Sequence, residues 1–365
     1  MTPPSGLQIV WYYHLPTVST DAEIKDLVDT SFLPLIRAHA ATSRKVTIAI
    51  TGVLVERIAT VDPSALGEFR SLLDSRVCEV AGTTYHEAFP PFLPIRYLLR
   101  QIERDTAVKR NYLGQVPTFF HASAFTWTSA LEHILRDLAF RGFVIDEAHY
   151  TYATATQLWR WTVGNNAKLT SVLQPTMLDR RELHFPYSYR SDDRSGELTC
   201  FIRDFALVRK FSFGSSGLIH RPFERQAVDS FVDDLVPLLE DERRLTLADD
   251  GDRVNPISLA AYQEILRRLP EEVFVTPRDR NRGPEPKELV YLPSFSIADL
   301  NEFWLADIDS VNYLRLLDEI YAAGVPGELE EDLLELQDVF FLFWKTVPRK
   351  RYYLDNALAL WKRVC

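Results

Sequence analysis

Side chains able to carry acid, base or nucleophile chemistry follow directly on short apolar runs at several points of the chain. His121 and Ser123 come after Val116-Pro-Thr-Phe-Phe120, and Asp249-Asp250-Gly251-Asp252 closes the run Arg244 to Leu247. Asp146 and Glu147, with His149 just behind, follow Gly142 to Ile145, and Glu87 follows Val77 to Thr84 by way of Tyr85-His86. Arg203-Asp204 ends Leu198 to Ile202, and His14 ends the run that begins at Leu7. Carboxyls that meet in pairs can act as general acid and general base. A serine near an imidazole is a nucleophile that still needs its base. Histidines with Asp and Glu could ligate zinc. Each feature also has a plainer reading: Asp-Gly is a turn former, Glu87 can be a loop acid, and Arg203-Asp204 an ion pair.

The elements that would position these groups alternate. Apolar runs at Leu7 to His14, Lys45 to Thr51, Val77 to Thr84, Val116 to Phe120, Gly142 to Ile145, Leu198 to Ile202 and Arg244 to Leu247 read as buried strands. Helical periodicity lies between them, as in Ile95 to Asn111 and in Ala130, Leu131, Ile134, Leu135, Leu138. Strand, helix, strand in sequence implies a parallel sheet with right-handed crossovers. The polar groups then collect at the C-terminal ends of the strands, the face on which β/α barrels build their sites. Glu87, Ser123, Asp146 and Asp250 are expected to share one cleft there. A short eighth strand is expected at Val273 to Val275. The barrel should span residues 1–276, a Pro- and charge-rich linker 277–290, and a helical region 291–365. The polar stretch from Tyr150 to Arg194 is too long for an ordinary connection, and its Trp159 and Trp161 suit either stacking on sugar faces or a local core.

Composition narrows the classes. The 365 residues are 46% hydrophobic, enough for a sizeable core, and the formal charge is −10. That balance lacks the basic footprint of a nucleic-acid binder. Three widely spaced cysteines, Cys78, Cys200 and Cys365, suggest neither a disulfide framework nor a zinc cluster. The opening Met1-Thr-Pro-Pro-Ser-Gly has no basic flank or apolar signal core, and no apolar run reaches membrane-spanning length. A cytoplasmic location with no membrane partner is expected.

Motif by motif the chain resembles glycoside hydrolase family 57, above all its 4-α-glucanotransferase and α-amylase types. The matching segments keep their order: His14-Leu-Pro16, ITGVLVERI, AGTTYHEAFPPFLP around Glu87, Pro117 to Trp127, VIDEAHY, FIRD, LADDGD, VFVTP, ELVYLPSFSIADLNEFW and FWKTVPRKRYYLDNALALWKR. The resemblance implies a (β/α)7 barrel followed by a helical C-terminal subdomain. For active members it implies retaining cleavage or transfer of α-glucosidic bonds, which uses a nucleophile and an acid/base carboxyl roughly 5 Å apart. By resemblance the acid/base position is Asp250, with Asp249 as the near alternative, and the nucleophile position is Ser123. His14, Glu87, His121, Asp146, Glu147, Arg203 and Asp249 are then the saccharide-binding set, with no metal and no cofactor.

Four departures from the family pattern stand out: Ser123 for the nucleophile Glu, Asp252 for the Glu expected after Gly251, Tyr12 for the first His of the first-strand motif, and an ending short of the longer glucanotransferases' extension. The reading that follows is a carbohydrate-active protein that recognises an α-glucan or related saccharide and lacks ordinary retaining glycosidase activity. Two alternatives are an active glycosidase, glucanotransferase or metal-dependent deacetylase-like hydrolase using relocated groups such as Glu87 or Glu147, and a non-catalytic regulatory protein.

Overall fold

The computed structural model describes residues 6–150, 183–190, 197–212, 217–218, 222–240, 243–279, 287–289, 308–343 and 347–365. Trp159, Trp161 and most of the 277–290 linker lie outside the described residues. Nine strands are present among them: β1 (Gly6–Tyr13), β2 (Val46–Ile50), β3 (Cys78–Ala81), β4 (Phe119–Phe120), β5 (Gly142–Asp146), β6 (Tyr187–Arg190), β7 (Glu197–Arg203), β8 (Arg244–Asp250) and β9 (Lys287–Leu289). Seven run parallel in the order β3-β2-β1-β8-β7-β5-β4. The ring nearly closes through Gly82, whose N–H donates to the Phe119 carbonyl (2.7 Å) while its carbonyl accepts from the His121 N–H (2.9 Å). This is a (β/α)7 barrel, with C-terminal helices beside it.

Period-two alternation sorts each strand's side chains between two environments. Val10, Tyr12, Ala49, Ala81, Phe119, Val144, Phe201 and Ala248 fill the lumen. Three alanines facing two phenylalanines suit a narrow seven-stranded interior, which eight large side chains would overfill. On the outer side, Leu7, Ile9, Trp11 and Tyr13 of β1 pack into the core that the surrounding helices share. The helix Ile95–Leu113 stops at Gly114, whose φ of 68° is the left-handed conformation a Cβ disfavours. It carries a fully buried ion pair, Lys109 Nζ to Asp105 Oδ2 at 2.7 Å, beneath the end of β3.

The C-terminal helices Ile308–Ala323, Glu330–Leu336 and Val347–Val364 build their own apolar cluster. It includes Tyr313, Ile320, Leu333, Tyr353 and Leu360, and Phe89 and Tyr97 from the barrel side join it. A bridge between Ala88 and Asp338, with the Val339 N–H donating to the Glu87 carbonyl (3.2 Å), ties this cluster to the loop after β3.

Two expected strands differ. The run Val116 to Phe120 narrows to Phe119–Phe120, because Pro117 has no N–H to pair and Val116 is exposed. Val273 to Val275 forms a 3-10 turn and a single bridge from Phe274 to Leu7, between Pro270 and Pro277. The antiparallel β6 against β7, and β9 against β6, go beyond the sequence reading.

Candidate functional site

At the C-terminal mouth the inward-facing row of each strand continues as polar side chains. Tyr12 stands opposite Asp250 in register. Two residues on, the His14 imidazole Nε2 sits 3.5 Å from the Asp250 carboxylate. The His14 ring lies between Tyr12 and Phe340, with centroids 4.7 and 5.1 Å away. Tyr12 in turn contacts His121 at 4.4 Å, and His121 contacts Phe125 at 4.8 Å. The Arg203 guanidinium caps the Phe125 ring at 4.4 Å and reaches Asp146 at 3.4 Å. Arg253 approaches Asp250 at 3.3 Å. One ring of contacts therefore joins β1, β4, β5, β7 and β8.

Backbone strain gathers in the loops that feed this ring. Glu87, Ala124 and Phe125 have φ of 56°, 48° and 51°, the left-handed region in which a non-glycine costs about 1–3 kcal/mol. The strain turns Phe125 under Arg203 and His121, and brings the Glu87 carboxyl inward beside Ser123. The Val339 N–H on the Glu87 carbonyl and the Thr84 hydroxyl on the Ala88 carbonyl (3.0 Å) hold the Glu87 turn in place.

Electrostatics separates the carboxyls. Burial pushes Glu87 well above the carboxylate range, and the charges of Asp338 and Asp250 add to this against the Ser123 hydrogen bond. Burial also acts to raise Asp250, but its contact with His14 and the charges of His14, Arg253 and Arg203 outweigh it, leaving Asp250 at about 2. Burial holds His121 down at about 3, a neutral imidazole. Asp146 is raised by burial against the pull of Arg203.

Several buried polar atoms here have no hydrogen-bond partner within the protein: Tyr12 Oη, His14 Nδ1, Glu87 Oε2, both His121 nitrogens and Arg203 Nη2. Folded proteins satisfy nearly all such atoms.

Not every sequence-derived residue joins the cleft. Asp249 points to the outer side, where its carboxylate accepts from the Ser212 hydroxyl (2.5 Å) and meets Arg253 at 3.1 Å. Its register partner Trp11 packs outward too, against Tyr262 and Phe211. Glu147 accepts the Phe205 N–H (2.9 Å) at the start of the helix Phe205–Phe211. His149 is buried with Nδ1 3.3 Å from the Asp146 carbonyl. Asp204 caps that same helix and pairs with His184 at 2.8 Å. Among the described residues no group of three His, Cys, Asp or Glu side chains could hold a metal ion. Sequence reasoning missed Phe125, Arg253 and Phe340 as cleft residues. Arg253, three positions after Asp250, was legible in principle; Phe340 had no local signal, since the fold brings it across 326 positions to His14.

Asp338 adds a pH dependence. Its buried carboxyl, which accepts from Thr17 N (2.8 Å), Phe340 N (2.9 Å) and the Tyr353 hydroxyl (2.7 Å), is raised by burial from 3.8 to about 6. A raised folded-state pKa means the native state holds its proton more tightly, so stability is greatest below 3.8 and is lost as pH rises toward 6. Asp338→Asn should flatten that part of the curve. Thermal midpoints of both proteins between pH 4 and 7 check this, and an unchanged slope would contradict it.

The barrel's C-terminal mouth thus gathers carboxyl, imidazole and guanidinium groups, an arrangement from which the fold alone does not single out one chemistry. The sequence profile of glycosyl hydrolase family 57 matches residues 15–278, and the chain belongs to that family. Its fold is similar to the 4-alpha-glucanotransferase of Thermococcus litoralis, with a TM-score of 0.80 at 16% identity over 100% of this chain and 60% of that one. It is also similar to the family 57 branching enzyme of Pyrococcus horikoshii, with a TM-score of 0.70, 13% identity and coverages of 99% and 88%. For the alpha-amylase of Thermotoga maritima the values are 0.69, 12%, 99% and 92%. The chain thus spans 60% of the length of the glucanotransferase. No curated protein sequence matches it.

Proposed function

We propose that this protein binds an α-glucan or related saccharide at the barrel mouth and lacks ordinary retaining glycosidase activity. His14, Glu87, His121, Asp146, Arg203 and Asp250 would make the binding contacts. One observation supports the reading: Ser123, which by resemblance holds the family's nucleophile position, lies beside Glu87, whose carboxyl burial raises well above the usual carboxylate range. A retaining mechanism needs an ionised nucleophile and a protonated acid on opposite sides of one bond. Ser123 offers a hydroxyl, and neutral His121, at about 3, is too weak a base to activate it. Asp250, at about 2, holds no proton to donate at neutral pH. A family nucleophile carboxylate would push that acid upward by repulsion; the cations around Asp250 do the reverse. Unpartnered polar atoms at the mouth support retained binding.

A second reading has one observation in its favour. A raised Glu87 carboxyl beside a lowered Asp250 is the split expected of an acid and a nucleophile with exchanged roles. Against it, Glu87 is only 2% exposed. Calorimetric titration with maltoheptaose tests the binding half of the first reading: the wild type should saturate, and Asp250→Asn should weaken it about tenfold or more. Equal affinity in the two proteins would remove the saccharide from this mouth.

A further inference from the structure

Ser31 is out of place by its type. In the run from Ile24 to Ala38 the other buried residues, among them Leu27, Val28, Phe32, Leu35 and Ile36, are apolar, and Ser31 is 1% exposed in their midst. A buried hydroxyl is costly unless it is hydrogen-bonded, so its partners show what the side chain does. The helix widens to a π turn at Val28–Phe32, where the Leu33 N–H donates to the Val28 carbonyl five residues back. Such turns often mark functional sites.

The Ser31 hydroxyl joins the ends of β1 and β8. It lies 2.7 Å from the Gly251 carbonyl and 3.0 Å from the Tyr13 hydroxyl. A carbonyl only accepts, so the single Ser31 proton goes to Gly251 and the Tyr13 hydroxyl donates to Ser31. The ladder between the two strands ends at Tyr12 and Asp250, one residue short of Tyr13 and Gly251. Ser31 thus supplies the next rung from outside. Close packing leaves this joint little play: a Cβ on Gly251 would stand 2.3 Å from the Tyr13 ring, and the Thr51 N–H holds the Tyr13 carbonyl at 3.1 Å.

We propose that Ser31 is a positioning residue for the mouth, fixing the distance between His14 and Asp250 through the outward-facing residues next to them. Successive residues of a strand face opposite sides. Tyr13 and Gly251 meet on the outer side, where the Tyr13 ring also packs on Phe32 at 5.1 Å, while His14 and Asp250 face each other on the inner side at 3.5 Å. That separation is at the outer limit of hydrogen-bonding distance, so a small displacement of one strand end against the other breaks the contact. The proposal takes from the saccharide reading only that this pair faces the ligand.

Imidazole nitrogen NMR spectra of the full chain, with His14 assigned by its absence in His14→Gln, test the assignment beside maltoheptaose calorimetry. Ser31→Ala should move the His14 Nε2 resonance toward its position in Asp250→Asn and weaken maltoheptaose binding about two- to tenfold. Tyr13→Phe keeps the Ser31 bond to Gly251 and should move the resonance the same way by less, so it decides the matter if Ser31→Ala does not fold. Leu72→Ala, a core truncation in the helix Pro63–Asp74, should lower the thermal midpoint while leaving the His14 resonance and the affinity unchanged, which separates positioning from loss of stability. An unmoved His14 resonance in Ser31→Ala or Tyr13→Phe, an equal shift in Leu72→Ala, or full maltoheptaose affinity in Ser31→Ala would overturn the proposal. A wild type that does not bind maltoheptaose would overturn the saccharide reading instead, and the imidazole resonances would still decide the role of Ser31.

Discussion

Lys109→Met is expected to remove about 3–5 kcal/mol of folding stability, the range for breaking a buried ion pair from one side. Lys109 and Asp105 are both fully buried. The ammonium donates to the Ala81 carbonyl (2.8 Å) and lies 3.3 Å from the Thr83 hydroxyl, and Asp105 accepts from the Thr83 N–H (2.9 Å) and hydroxyl (3.0 Å). Methionine fills the space but leaves the carbonyl without its donor and the carboxylate without its cation. Asp105, which burial already raises, would then take up a proton. Because Thr83 begins the loop that carries Glu87, the damage should spread to the mouth and lower saccharide affinity as well. Urea unfolding measures the loss. Asp105→Asn/Lys109→Met should recover part of it through coupling between the two sites. A single variant within about 1 kcal/mol of the wild type would show that the pair does not brace β3.

What the sequence disclosed, and what it did not, follows from the range over which each interaction acts. Alternation is a local property, so β1, β2, β5, β7 and β8 were legible, as was the collection of polar residues at their ends. A side chain's direction at a strand end depends on one residue of register. Asp249 and Asp250 are neighbours, yet one faces Ser212 outside and the other faces His14 inside. Family resemblance favoured Asp250, and pairing with Tyr12 supplies the physical reason. Glu147 reads as a strand-end acid, but it serves the Phe205 N–H, a contact 58 positions away. The raised pKa of Glu87 was beyond sequence reasoning altogether, because it arises from burial beneath Asp338 and the C-terminal helices.

The largest expected effect concerns turnover. A retaining reaction forms a glycosyl-enzyme bond and then releases it, and both steps require the nucleophile carboxylate. On the proposed assignment of that position to Ser123, its loss removes several kcal/mol of transition-state stabilisation, on the order of 10³-fold or more in rate. Asp250 cannot substitute for it in this environment. Held ionised by His14 and Arg253, it can steady positive charge at an anomeric carbon but cannot also protonate the leaving oxygen. Ser123→Glu would restore a carboxylate beside Glu87, where two acids would compete for one proton. The measurement that tests the account most directly is product release from maltoheptaose by the wild type at neutral pH, run beside Ser123→Ala, Glu87→Gln and Glu147→Gln. Background turnover in all four proteins, with saturable maltoheptaose binding by the wild type, is the predicted result. Robust cleavage or transfer by the wild type, undiminished in Ser123→Ala and abolished in Glu87→Gln or Glu147→Gln, would show that the catalytic carboxylate has moved rather than vanished.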